Sequence, residues 1–154
     1  MELPAEGMTE PPRKRIVALL AKATSRELQL AWEGLEPKPE VSMLRGPETG
    51  LVMVKGRIGG GGAAFNLGEA TVSRATIRLT CGTVGHGQTL GTGKSKARLA
   101  AIFDALWQKP ETNPLVEALL ATVAARLEAE DRKKQEETAA TRVDFFTMVR
   151  GEDK

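Results

Sequence analysis

Arg74 and Arg78 stand four residues apart in Arg74-Ala75-Thr76-Ile77-Arg78, a run whose alternation predicts a β-strand. At strand spacing they share one face, and guanidinium forks match phosphate oxygens in shape and charge. The same pair would serve equally as a solvated sheet face or in interface ion pairs. Downstream, Gln88-Thr89-Leu90-Gly91-Thr92-Gly93-Lys94-Ser95 comes within one glycine of the phosphate loop G-x-x-x-x-G-K-[ST]. In that motif backbone N–H groups cradle phosphates and the lysine reaches the terminal ones. Here Gln88 occupies the first glycine position, and Thr83-Val84-Gly85-His86-Gly87 does not read as the buried parallel strand such a loop follows. No later strand offers a magnesium-binding aspartate, since Asp104 falls inside a helical pattern. The plainer reading is a turn that ends a strand, with Ser95 as helix N-cap. The alternative is an independent nucleotide-binding protein using Gly91, Lys94 and Ser95.

His86 is the sole histidine, with glycine on both sides and no carboxylate nearby in sequence. It reads as a surface loop residue rather than a general acid. Cys81 and His86 together fall short of the three or four ligands a zinc site needs, so no metal site is expected. Cys81 reads as a small buried apolar residue.

These groups must be held by the elements around them. Residues 1–12 carry three prolines and a glycine and read as a flexible leader. Ile16, Leu19, Leu20 and Ala23 follow helical spacing, and Thr24 with Glu27 predicts a capping box for a second short helix. That helix shows Leu28, Ala31, Trp32 and Leu35 on one face and is stopped by Pro37 and Pro39. Strands are expected over residues 41–44, 50–58 and 70–81, with a shorter, glycine-broken one over 83–90. Val52, Val54 and Ile58 fall on one face, with Met53, Lys55 and Arg57 on the other. Ala75, Ile77 and Leu79 likewise alternate with Arg74, Thr76 and Arg78, as in antiparallel strands with one wet face. Gly59 to Gly62 predict a hairpin connection. Leu99, Ile102, Phe103 and Leu106 restore the helical period. Asn113-Pro114 opens a long helix whose apolar face, Val116, Leu119, Leu120, Val123 and Leu127, fades near Glu130. The expected fold is α+β: a single domain over residues 13–151. Its central antiparallel sheet carries N- and C-terminal helices on one face, and an apolar tail follows.

With 154 residues, 41% apolar and 27% charged, the chain is large enough for one real core. A net charge of +2, few aromatic residues and no tyrosine argue against a nucleic-acid module built on Arg13-Lys14-Arg15, Lys55, Arg57, Arg74 and Arg78. A lone cysteine permits no internal disulfide and suits a reducing compartment. No signal peptide or membrane span is recognisable, so a cytoplasmic location is expected. The end of the chain is unusual. Arg142, Asp144 and Arg150 are interspersed with Val143, Phe145, Phe146, Met148 and Val149. Such a tail either folds back on its own core or docks into a partner, with Phe145 and Phe146 as anchors and the charges pinning it.

Three blocks carry a family resemblance: Glu48-Thr49-Gly50-Leu51, then residues 68–79 (GEATVSRATIRL), then residues 142–151 (RVDFFTMVRG). In this order and spacing they resemble PhnG, a subunit family of the bacterial carbon–phosphorus lyase core complex, over residues 13–151. Thr92-Gly93-Lys94 departs from the Arg-Asp-Lys-type turn expected there. The resemblance implies phosphonate catabolism. PhnH-, PhnI- and PhnL-like partners would help to replace the adenine of MgATP by methylphosphonate, giving α-D-ribose 1-methylphosphonate 5-triphosphate. A PhnJ-like radical enzyme of the same complex would act later. It further implies a non-autonomous transferase subunit, inactive alone, with no cofactor of its own and MgATP as substrate of the complex. In that setting Arg74 and Arg78 become phosphate-binding candidates, and Glu48 either orients a sugar or caps a turn. The catalytic residues stay unassigned.

Overall fold

The computed structural model describes residues 12–142. Seven elements follow in order: α1 (Pro12–Lys22), α2 (Ser25–Glu33), β1 (Val41–Gly56), β2 (Phe65–Leu79), β3 (Val84–Leu90), α3 (Lys94–Trp107) and α4 (Asn113–Ala140). The strands form one antiparallel sheet in the order β1-β2-β3. The class is α+β, as the alternation and helical periods require. One compact unit ends at Ala124 and a second begins at Ala125.

In the first unit, β2 turns Ser73, Ala75, Ile77 and Leu79 inward while Arg74 and Arg78 face water. The buried side is covered by α3, which packs against β2, β3, α1 and α2. From Leu99 to Leu106 every residue of α3 is buried. Ile77, Ile102 and Phe103 are fully enclosed, each worth roughly 1.5–3 kcal/mol of apolar burial. The capping box forms as expected: Glu27 N donates to Thr24 Oγ1 at 3.1 Å and Thr24 N to Glu27 Oε2 at 2.8 Å. The first part of α4 buries Val116, Leu120 and Val123 at helical spacing. In the second unit α4 continues to Ala140 with mainly exposed residues and an Arg126–Glu130 ion pair at 2.9 Å.

Four expectations about the strands and Cys81 are corrected. Residues 41–56 form one strand rather than two, kept in register with β2 through irregularities at Met43/Arg45, Arg45/Glu48 and Val54/Lys55. The 83–90 segment is a regular strand, and its glycines serve close packing. A β-carbon on Gly87 would collide with the Ala97 carbonyl oxygen and lie 2.5 Å from Ala101 N. Cys81 is exposed, in the turn after β2. Its thiol is lowered from the ordinary value, chiefly by a hydrogen bond with the Thr83 hydroxyl at 3.2 Å.

The fourth correction concerns the outer half of the β1–β2 hairpin. β3 pairs with β2 only from Val72 to Arg78. Beyond that point β1 and β2 continue as a two-stranded arm, closed by the glycine-rich loop. Val52 and Val54 are not on a buried face; Leu51, Val52, Met53 and Val54 are all exposed.

Candidate functional site

The wet face of the sheet gathers the polar side chains. Glu48 and Arg74 are direct cross-strand partners. Glu48 Oε1 accepts a hydrogen bond from Arg74 Nε at 2.8 Å and another from Arg45 Nε at 2.8 Å. Arg45 comes within reach because β1 is irregular between them. Gly46 sits at φ +68°, where a β-carbon would lie 2.6 Å from Glu48 N and 2.8 Å from Arg74 O. Only glycine makes that turn without strain. The Arg74 hydrogen bond, followed by the charge and hydrogen bond of Arg45, holds the Glu48 carboxyl below its ordinary range despite some desolvation.

On β3, His86 and Gln88 point to the same face as Arg74, since they pair with Thr76 and Arg74. His86 Nδ1 lies 3.1 Å from the Thr76 hydroxyl. Arg45, Arg74, Thr76, His86 and Gln88 line an open cleft of about 330 Å³. A second hollow of about 220 Å³ adjoins it through Arg74 and Gln88 and leads past Glu48 to Val52 and Val72. Polar donors therefore sit at one end of the face and apolar side chains at the other.

The strand beneath this cleft is fixed from behind. Asp104, fully buried on α3, accepts the His86 backbone N–H at 2.8 Å through Oδ2. The same carboxylate takes Arg13 Nη2 at 2.9 Å and Nε at 3.3 Å. That contact raises the Arg13 guanidinium above its usual value, the hydrogen bond outweighing desolvation. Thus one carboxylate ties α1, α3 and β3 together. Ser73 does the same on a smaller scale, bonding Thr49 Oγ1 and the Gly91 carbonyl at 2.8 Å each.

The sequence candidates are distributed as follows. Glu48 and Arg74 meet. Arg78 shares their face but stands four residues further along β2, about 13 Å away at strand rise. Arg142 lies just after α4, its N–H bonded to the Ala139 carbonyl at 3.2 Å. Asp144, Phe145, Phe146 and Arg150 lie outside the described residues. Arg45, Thr76, His86 and Gln88 were not among the site candidates. His86 is a strand residue, not a loop residue; the phase set by Gly85, Gly87 and Thr89 facing inward would have placed it beside Arg74.

The loop at Gly91 to Ser95 has none of the context of a nucleotide cradle. β3 is an antiparallel edge strand, and Lys94 N already bonds the Thr92 carbonyl at 2.9 Å. Ser95 is not the N-cap: Gly93 takes that position, without a side-chain cap, and α3 starts at Lys94. Among the described residues no group of three or more His, Cys, Asp or Glu could hold a metal ion, and no helix is long and apolar enough to cross a membrane.

Residues 11–151 match the family model described as phosphonate metabolism protein PhnG. A curated relative from Rhizobium meliloti (strain 1021), the alpha-D-ribose 1-methylphosphonate 5-triphosphate synthase subunit PhnG, is 70% identical over 141 residues. The match covers 92% of this chain and 90% of the relative. The chain belongs to the PhnG family.

Proposed function

We propose that this chain is a subunit of the synthase that makes α-D-ribose 1-methylphosphonate 5-triphosphate from MgATP and methylphosphonate, releasing adenine. The observation that carries this is 70% identity to a synthase subunit across nearly the whole of both chains. The partners are PhnH-, PhnI- and PhnL-like subunits, with a PhnJ-like enzyme acting later, in the cytoplasm. The chain brings no cofactor; magnesium enters with the nucleotide.

In the reaction a phosphonate oxygen bonds to the ribose anomeric carbon as the carbon–nitrogen bond to adenine breaks. Positive charge grows on the sugar ring, while phosphonate and triphosphate must be held by cations and N–H donors. This chain supplies donors of that kind at the Arg45–Glu48–Arg74 cluster. Glu48 engages only the Nε of each guanidinium among the described hydrogen bonds, leaving the Nη groups for oxyanion oxygens. Gln88 and His86 border the same cleft. Glu48 positions the two guanidiniums and keeps a carboxylate beside the bound anion. Arg78 serves as an outer cation. Most catalytic groups reside on the partners, so the chain alone is inactive. The tail residues Arg142, Asp144, Phe145, Phe146 and Arg150 contribute to the partner interface.

Two samples test this reading: the chain alone, and the chain co-expressed with its partners. Adenine release from MgATP and methylphosphonate is expected only from the assembly. Release at the same rate by the purified, partner-free chain would overturn the division of roles.

A further inference from the structure

The outer half of the β1–β2 hairpin is an apolar part of the described chain that its own core leaves uncovered. Leu51 and Met53 continue the helix-covered face of the sheet, while Val52 and Val54 continue the face of Glu48 and Arg74. Phe65 and Leu67 lie at the outer end of the arm. Exposures are 64% at Leu51, 54% at Met53 and 66% at Leu67. Ile58 in the connecting loop is more exposed still, and these side chains put apolar surface on both faces of the arm. Exposed apolar side chains gathered on one element in this way mark an interaction surface. Because both faces are apolar and both strand edges are open, one flat surface cannot cover the arm. The occupant must surround it.

Charge decides which occupant. Lys55 and Arg57 stand near the tip, and the arm strands hold one acidic residue, Glu69. Among the described residues neither Lys55 nor Arg57 has an ion pair. Two copies meeting tip to tip across a two-fold axis would bring these cations together, an arrangement that costs rather than stabilises.

We infer that the arm inserts into a cleft of a different synthase subunit, one lined by apolar side chains and closed by carboxylates that meet Lys55 and Arg57. This rests on the subunit reading above and adds the surface through which assembly occurs. Apolar side chains supply the affinity; the tip cations select register and orientation.

The test uses the assembled complex. The chain is co-expressed with the other synthase subunits as wild type, as Leu51→Ser/Met53→Ser/Leu67→Ser, and as Lys55→Glu/Arg57→Glu. Affinity is read by titrating each purified chain against the remaining subunits. Both variants are expected to keep the wild-type circular dichroism and to bind at least about tenfold more weakly. A photo-crosslinking residue at Met53 in otherwise wild-type chain is expected to trap another subunit, within an apolar segment carrying Asp or Glu. This readout holds even if a multiple variant fails to fold. Unchanged affinity of both variants, with wild type assembling normally, overturns the arm inference and leaves the subunit reading standing. Wild-type chain that binds none of the subunits overturns the subunit reading, and the arm inference with it. A self-dimer that disappears in the triple variant, with crosslinks to a second copy, would show that the occupant is this chain itself.

Discussion

Gly85 on β3 lies directly against Ala101 on α3: a β-carbon there would collide with the Ala101 carbonyl oxygen and sit 2.8 Å from the Ala105 β-carbon. Helix and strand backbones approach as closely as chemistry permits, with glycine on one side and alanine on the other. This contact sets the depth of α3 in the core and the plane of the sheet that carries His86 and Gln88.

Replacing Gly85 by alanine should therefore push α3 outward. The expected loss is about 1–3 kcal/mol or more, the usual cost of overpacking, read as a lower urea midpoint. Gly50→Ala is the control, since nothing lies within 4 Å of its added β-carbon. Equal midpoints for Gly85→Ala and wild type would show that the two backbones separate freely.

Arg13→Ala should strip Asp104 of its charged partner and leave a buried carboxylate held by one backbone N–H. Breaking a buried pair costs about 3–5 kcal/mol, and the half-exposed Arg13 places this case toward the lower end, near 3 kcal/mol. Asp104→Asn should cost less, because the amide oxygen still accepts from His86. An Arg13→Ala variant as stable as wild type would remove Asp104 as the tie between α1 and β3.

The Glu48 carboxyl is held below 4.5, first by Arg74 and then by Arg45. A depressed carboxyl stabilises the fold fully above its unfolded value and loses that contribution as pH falls through the folded one. The stability gap between wild type and Glu48→Gln should thus be widest at neutral pH and close in acid. In Arg74→Ala, a carboxyl titration followed by NMR should move Glu48 upward. A gap independent of pH would contradict the geometry.

Cys81 is exposed and its thiol lowered by Thr83, so the native protein should be alkylated readily by iodoacetamide. Thr83→Val should slow labelling near neutral pH. Protection of the thiol until the chain is unfolded would mean that it is buried after all.

Where one local rule decides, the sequence was a sufficient guide. Thr24 and Glu27 specify a cap by themselves, and Ala75, Ile77 and Leu79 reveal their face through strict alternation. Val52 and Val54 show the same alternation and yet stay in water. A period of two tells which residues share a face, not whether anything covers it, and coverage ends where β3 ends. His86 was missed as a neighbour of Arg74 because its flanking glycines read as a loop. Their purpose becomes visible only once Ala97 and Ala101 are placed above them. The Arg45 contact depends on the turn at Gly46, which no periodicity announces.

Reconstitution decides whether this chain is part of a working synthase. Wild-type chain, Arg74→Ala and an empty control are each combined with the partner subunits, MgATP and methylphosphonate. Adenine is measured by chromatography and the ribose phosphonate product by phosphorus NMR. The account predicts product with wild type, at least about tenfold less with Arg74→Ala at limiting methylphosphonate, and none without the chain. Full product formation in the chain's absence would contradict it.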